Sequence, residues 1–437
     1  MTDGHPFLFA AWDGGGAVPP LLSMAGALAA RGHEVRVLGD PVLEEEIAVA
    51  GAQFRPWTTA PHRTSRRDPS TEVVRDWEAK TPLGGFARTR DRLIFGPAAA
   101  FAHDTLAELA QRPADVVVHE HLLIGVGIAA EAGRIPFAVS VPNILPLPRR
   151  GVPPFGAGLK PARGRLGRAR DGALGFASET MWGRGLPALN AARVELGLNP
   201  LASVYEQFDR ADRLLVLTSA AFDYPSCPVP GNARYVGPRL DDPSWTEGWT
   251  SPWPTDDRRP LVLVGLSSTY QDQLPMVRRV AAALGRLPVR GLVTLGPAVT
   301  ADELAAPDNV VVVPSAPHSN VLPHASAVIT HAGHGTAIKA LAAKVPLVCL
   351  PMGRDQDDTA ARVVLTGSGV RLKPSASVKS IAAATRTVLY DARYRDAARA
   401  MAEAIAAETQ TDRAVAELEA LANSRAGQPP TAQIPTR

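Results

Sequence analysis

Short apolar runs alternate along the chain with stretches of helical period and with clusters of turn residues. Residues 7–12 form one such run, followed by a glycine- and proline-rich loop over 13–20, a helical pattern over 21–30 that stops at Arg31-Gly32-His33, and a second run over 35–38. Brief apolar runs separated by helix-length segments are the pattern of βαβ units with parallel strands buried on both faces. Gly32 stands where a helix end favours a left-handed residue. Further strands are expected over 115–119, 137–141 and 214–218, with helices over 98–111 and 125–132 between them.

The rhythm breaks over 143–175, where prolines are interleaved with Arg149, Arg150, Lys160, Arg163, Arg165, Arg168 and Arg170. This predicts a long, mobile basic loop, either simply solvated, or a lid over an acceptor, or a contact to an acidic partner. Residues 226–260, rich in Pro, Asp and Trp, read as a linker. The pattern then restarts with an apolar run over 261–266, a polar Ser267-Ser268-Thr269 loop and a helix over 276–284. Strands are expected over 292–295, 310–313, 327–330, 347–350 and 370–372, and residues 381–421 read as helical almost throughout. One α/β domain over 1–225 and a second over 261–403 follow, with a polar tail over 424–437 expected to be disordered.

Composition narrows the classes. A chain of 437 residues is too long for one ordinary domain, and 46% hydrophobic against 20% charged residues excludes a mainly disordered one. A formal net charge of +3 is too small to imply a nucleic-acid partner. No apolar run reaches membrane-spanning length, and the first residues lack a basic n-region and a signal-peptide core, so a cytoplasmic location is expected. Cys227 and Cys349 fall in different halves, which argues against a disulfide or a cysteine-based zinc site.

The densest chemistry follows the run at 327–330, where His331-Ala332-Gly333-His334-Gly335-Thr336 leads straight into a helix. Gly333 and Gly335 allow close backbone approach, Thr336 is suited to cap the helix, and the free N–H groups of its first turn favour an anion, so the stretch reads as a phosphate cradle. After the next strand comes Met352-Gly353-Arg354-Asp355-Gln356, so two strand ends present polar groups to one crevice, where open α/β sheets bind ligands. Asp355-Gln356-Asp357 matches a DxD metal pattern, but a three-residue string behind a phosphate cradle is weak ground for a metal. Gly14-Gly15-Gly16 lacks the Lys-Ser/Thr of a P-loop.

The stretch from Thr330 to Gln356 resembles the donor signature of GT-B glycosyltransferases, and more narrowly is similar to the actinobacterial natural-product branch (antibiotic, macrolide-type) of the UDP-glycosyltransferase family. Ala316-Pro317-His318-Ser319-Asn320-Val321-Leu322-Pro323 is similar to that family's base-binding segment, and Arg31-Gly32-His33-Glu34-Val35 extends the likeness into the amino half. The resemblance implies an α/β, GT-B architecture of two Rossmann-like domains facing a central cleft, with a final helix over 404–423 crossing back to the first. It implies an inverting transfer of sugar from a UDP or dTDP donor to a hydroxyl of a small, lipophilic aglycone, with no metal and no cofactor besides the nucleotide sugar. Ser268, His331, Gly333, His334, Gly335 and Thr336 would hold the diphosphate, Ser315, Ala316 and His318 the base, and Asp355 and Gln356 the sugar hydroxyls. Ser315 stands where the family often stacks an aromatic. A homodimer is compatible with this reading.

The catalytic base departs from the family's pattern. Its members usually carry Gly-His-x-x-Pro in the first loop, whereas this chain reads Gly15-Gly16-Ala17-Val18-Pro19, with Gly16 in the histidine's place. Asp13 on the same loop is one candidate. The strand end His119-Glu120-His121 supplies the other, with Glu120 near the family's histidine-orienting acid, and strand alternation would send His119 and His121 to one face and Glu120 to the other. The missing histidine keeps two rivals in view: a nucleotide-sugar epimerase of the same fold, and a non-catalytic auxiliary partner of another glycosyltransferase.

Overall fold

The computed structural model describes residues 4–224, 227–246, 248–296 and 304–425. Two all-parallel sheets organise it. The first runs β3-β2-β1-β4-β5-β6-β7, from β1 (Pro6–Ala10), β2 (Glu34–Gly39), β3 (Gln53–Pro56), β4 (Val116–Glu120), β5 (Phe137–Val141), β6 (Arg213–Val216) and β7 (Ala233–Tyr235). The second runs β10-β9-β8-β11-β12-β13, from β8 (Leu261–Gly265), β9 (Arg290–Thr294), β10 (Val310–Val313), β11 (Ala325–Thr330), β12 (Leu347–Cys349) and β13 (Gly369–Arg371).

Each sheet reverses its winding once, between β1 and β4 in the first and between β8 and β11 in the second. At such a switch point the connections leave to opposite faces and open a crevice at the carboxyl ends of the two strands. Every residue of β4, β5 and β8 is buried, which is why these strands read as unbroken apolar runs rather than alternating ones. Alternation along β1 sends Phe7 and Phe9 to one core and Leu8 and Ala10 to the other.

The core containing Phe7 and Phe9 is completed by Leu21, Met24 and Leu28 of the helix Val18–Ala30 and by Val415, Leu418 and Leu421 of the last helix, Arg413–Arg425. The chain's end is therefore a strap from the second domain onto the first. Fully burying each such side chain is worth roughly 1.5–3 kcal/mol, and pairs of Arg31 with Glu419 (2.9 Å) and Arg213 with Glu417 (2.6 Å) flank the apolar contact.

Several local features differ from the pattern read along the chain. The helix Val18–Ala30 takes in Pro19 and Pro20 within its first turn, where their missing N–H groups cost nothing, so the loop is shorter than expected. Residues 165–175 of the expected mobile basic loop belong instead to a helix with no buried residue, Arg165–Gly183. Proline stops at 161, and the Arg, Ala, Leu and Met that follow are sound helix formers whose arginines disguised the signal. The loop before it is pinned rather than free: Asp358 Oδ1 accepts the Gly158 N–H at 3.0 Å, and its Oδ2 takes that of Gly156.

β7 joins the first sheet from inside the stretch that composition marks as linker. The helical stretch 381–421 resolves into helices Val378–Tyr390, Ala392–Glu408 and Arg413–Arg425, the second started by Asp391 accepting the Arg393 N–H. Ser424 and Arg425 belong to the last helix, and the rest of the polar tail, 426–437, lies outside the described residues. Among the described residues no helix is long and apolar enough to cross a membrane.

Candidate functional site

The carboxyl ends of both sheets face each other across a cleft of about 920 Å³, and both switch points open into it. On the second domain's side, β8 ends at Gly265, where an added Cβ would come within 3.2 Å of His318 and 3.3 Å of Thr336. β11 ends at Thr330, and the turn into the helix His334–Ala342 is made by Ala332 at φ +66°, a left-handed conformation that a side chain rarely adopts. The glycine that follows answers a different need. Gly333 has an ordinary φ of −58°, but a Cβ there would sit 2.5 Å from His331 Nε2, so the ring lies directly over it.

Gly335 faces open space, and no side chain caps this helix, so its first-turn N–H groups carry their partial charge uncovered. Thr336, expected to be the cap, lies inside the helix instead, because the helix begins two residues before it. Burial, with a smaller push from the Arg354 charge, holds the His331 imidazole down at about 4, so it is neutral near pH 7 and acts as a neutral hydrogen-bonding ring.

The other residues read as donor contacts divide. Ser268, Ser315, Ala316 and His318 line the cleft. His318 is likewise pushed down to about 4 by burial and by Lys339. Ser268 Oγ would lie 2.8 Å from a Cβ on Gly15, so the glycine-rich first loop touches the second domain here; Gly15 has φ +69°, which favours glycine as well. His334 is turned away from the cradle: its Nε2 lies 2.8 Å from Thr218 Oγ1 at the end of β6. Its imidazole makes an interdomain contact.

Asp355 accepts a hydrogen bond from Asn143 Nδ2 at 3.0 Å across the cleft, and burial raises its carboxyl above the usual range. Gln356 is almost fully engaged by its neighbours, accepting the Met352 N–H at 2.7 Å and donating to Gln271 at 3.0 Å. Asp357 pairs with Arg371, and among the described residues no three His, Cys, Asp or Glu side chains gather into a group that could hold a metal ion.

On the first domain's side, β4 ends at Glu120, so His121 opens the following turn instead of continuing the alternation. Glu120 and His121 therefore line the same cleft, whereas the expected pairing of His119 with His121 does not occur. His119 is buried against Phe137 and Gly127 and held down at about 4 by that burial. His121 Nδ1 lies 2.5 Å from Glu120 Oε1, while Glu120 Oε2 accepts the Trp12 indole N–H at 3.1 Å and the Leu122 N–H at 2.9 Å. The Glu120–His121 contact is one of close approach without hydrogen-bond alignment, since neither Oε1 nor Nδ1 has a hydrogen-bond partner.

Asp13 is built differently from a base. It is 2% exposed, its Oδ2 accepts from Arg63 at 3.1 Å and Arg66 at 2.9 Å, and its Oδ1 accepts from Arg66 at 3.0 Å. Two guanidinium groups that themselves pair with Glu72 and Glu46 close a buried ionic cluster around it. Both carboxylate oxygens are therefore held by arginines, a setting unlike the free loop carboxylate expected from the sequence.

Beyond these, Trp77, Phe86, Phe95, Leu147, Phe155, Trp182 and Phe208 give the first domain's part of the cleft an apolar wall. Their positions run from 77 to 208, and no local pattern could have gathered them. Asn143 and Arg354 were also missed, although both stand in the loops that follow strand ends, the signal that marks such positions.

Comparison with known proteins agrees with this geometry. Residues 278–421 match the family described as erythromycin biosynthesis protein CIII-like, C-terminal domain. The chain is 30% identical over 403 residues to 4'-demethylrebeccamycin synthase of Lentzea aerocolonigenes, covering 90% of this chain and 93% of that protein. It is 29% identical to the O-mycaminosyltylonolide 6-deoxyallosyltransferase of Streptomyces fradiae over 94% of this chain and 96% of that one. Among solved structures, the calicheamicin glycosyltransferase CalG4 superposes with a TM-score of 0.75 at 23% identity, covering 97% of this chain and 99% of the other.

Proposed function

Because the chain belongs to the actinobacterial antibiotic glycosyltransferases and has their GT-B fold, we propose that this natural-product glycosyltransferase works by direct, inverting displacement at a nucleotide-diphosphate sugar, UDP- or dTDP-linked. The observation that carries the reading is the meeting of two switch-point sites in one cleft, a histidine–carboxylate pair on one side and an uncapped helix start with a neutral histidine on the other.

In this mechanism His121 Nε2 takes the proton of an acceptor hydroxyl as its oxygen bonds to the anomeric carbon, and Glu120 supports the imidazolium that forms. The sugar–oxygen bond to the diphosphate breaks on the opposite face, and the electron pair leaves with the diphosphate. The first-turn N–H groups of the helix His334–Ala342, the His331 ring and Ser268 then face the growing negative charge. Asp355 lies within electrostatic reach of His121, which brings the group assigned to the sugar close to the base. Attack from the face opposite the leaving group inverts the anomeric centre.

His121 thus fills the role of the histidine missing at Gly16, from a different strand but against the acid at the expected place. The apolar wall from Trp77 to Phe208 suits a lipophilic, ring-rich acceptor presenting one hydroxyl. The named relatives are synthases or transferases, which favours transfer over the epimerase and auxiliary-partner readings. Incubation with UDP- and dTDP-sugars and a panel of aromatic and macrocyclic aglycones should give products heavier by one sugar, with inverted anomeric configuration by NMR. Donor isomerisation without aglycone gain, or a product of retained configuration, would overturn the mechanism.

A further inference from the structure

Arg354 sits beside the cradle with an unusual set of commitments. Its backbone has φ +56°, in the left-handed region that side chains rarely adopt. Its guanidinium forks onto Asp76 of the first domain, Nε to Oδ2 at 2.6 Å and Nη2 to Oδ1 at 3.0 Å, and donates from Nη1 to Thr269 Oγ1 at 2.9 Å. Next to Asp76, Trp77 meets Tyr270 of the second domain edge-on with ring centroids 5.1 Å apart. The short helical turn Asp76–Glu78 thereby closes over the loop that follows β8.

The cradle needs a positive charge that its other members do not bring. His331 is neutral near pH 7, and helix termini offer only partial charge. Lys339 is committed to Asp242 at 2.8 Å and to the Asp241 carbonyl at 2.6 Å. Of the other cations lining the cleft, Lys80 is exposed on the first domain's side, while Arg66 is bound by Asp13 and Glu46, Arg239 by Asp412 and Arg371 by Asp357. Arg354 is close enough to His331 to weigh on its titration, and it is held by a carboxylate from the facing domain. A planar fork that fits a carboxylate also fits a phosphate.

We propose that Arg354 binds the diphosphate of the nucleotide sugar, exchanging its fork with Asp76 for one with the diphosphate when the donor enters. The proposal rests on the nucleotide-sugar reading above. It assigns the segment around Asp76 and Trp77 a second job: donor binding exchanges one of its interdomain holds and frees it to admit the acceptor.

Calorimetric titration of the full chain with dTDP, UDP, thymidine and uridine tests this. In Arg354→Gln, affinity for the preferred diphosphate should fall about tenfold or more, from loss of charged hydrogen bonds, while affinity for the nucleoside is unchanged. Arg354→Lys, which keeps the charge and loses the fork, should fall between. Asp76→Asn should bind the diphosphate severalfold tighter, and the double variant should behave as Arg354→Gln does alone. Equal losses for nucleoside and diphosphate in Arg354→Gln would make the residue structural and overturn the proposal. So would an Asp76→Asn protein with unchanged or weakened diphosphate affinity. A wild-type protein that binds neither diphosphate would instead sink the nucleotide-sugar reading itself.

Discussion

Glu120 Oε1 lies 2.5 Å from His121 Nδ1, a contact between neighbours in sequence that is made only because β4 ends between them. Continued as a strand, the chain would have put the two side chains on opposite faces of the sheet. His121→Ala should lower kcat by about 10²- to 10⁴-fold, the range for loss of a general base, with nucleotide affinity retained. Glu120→Gln should also lower kcat and change the pH–rate profile. Steady-state kinetics at matched folded concentration check both, and a His121→Ala protein with full activity removes it as the base.

Asp13→Asn should act on stability instead of chemistry. The substitution leaves the buried Arg63 and the partly buried Arg66 with less negative charge around them, and breaking a buried ionic arrangement costs up to about 3–5 kcal/mol. Urea unfolding should show the loss, while kcat per folded molecule stays near that of the wild type. A stable Asp13→Asn protein that is inactive would return Asp13 to the list of bases.

Gly333→Ala should be nearly as damaging as His331→Ala. The new Cβ would meet His331 Nε2 at 2.5 Å, and the ring must leave its place over the turn. Loss of one preorganised donor to a developing anion typically costs about 10²- to 10³-fold in kcat. Gly335→Ala, where a Cβ meets nothing of the protein, should fold normally. If it impairs donor binding while the fold is intact, the open space there is the donor's.

Asp223 ties the two domains through Arg362 (2.6 Å) and Arg149 (2.7 Å). Burial opposes its charge, but the two guanidinium groups outweigh that and hold its carboxyl at about 2, below the 3.8 of a free aspartate. A depressed carboxyl contributes its stability above the unfolded value and loses it as pH falls through the folded one, so the loss belongs between pH about 4 and 2, and amounts to about 2 kcal/mol. Asp223→Ala should lose about 3–5 kcal/mol at pH 7, because both arginines remain buried. It should also lack this part of the wild type's acid decline, as urea midpoints at pH 7 and pH 3 would show.

Much of the second domain's side of the cleft was legible because it is local. A strand, a tight turn with two glycines and a helix start lie within a dozen residues, and the features that suit them to an anion, uncovered N–H groups and room for close approach, depend on neighbours in sequence. Even there, the left-handed residue proved to be Ala332, and Gly333 serves to make space for a ring. His334, inside the same motif, turned out to bind Thr218 of the other domain.

The first domain's side of the cleft was not legible in this way. Asp13 looked like a base because nothing in its surroundings announces Arg63 and Arg66, and the helix Arg165–Gly183 looked like a loop because its charges hid a helix-forming composition. The sequence by itself determined the βα rhythm of both domains and the strand–turn–helix at His331, since both follow from short-range periodicity and backbone chemistry. Only the tertiary structure decided which carboxylates are bound by arginines, that β4 stops in time to bring His121 to Glu120, and that Arg354 meets Asp76 across the cleft. Those outcomes depend on where distant segments are brought together, and charge pairing across a cleft has no period along a chain.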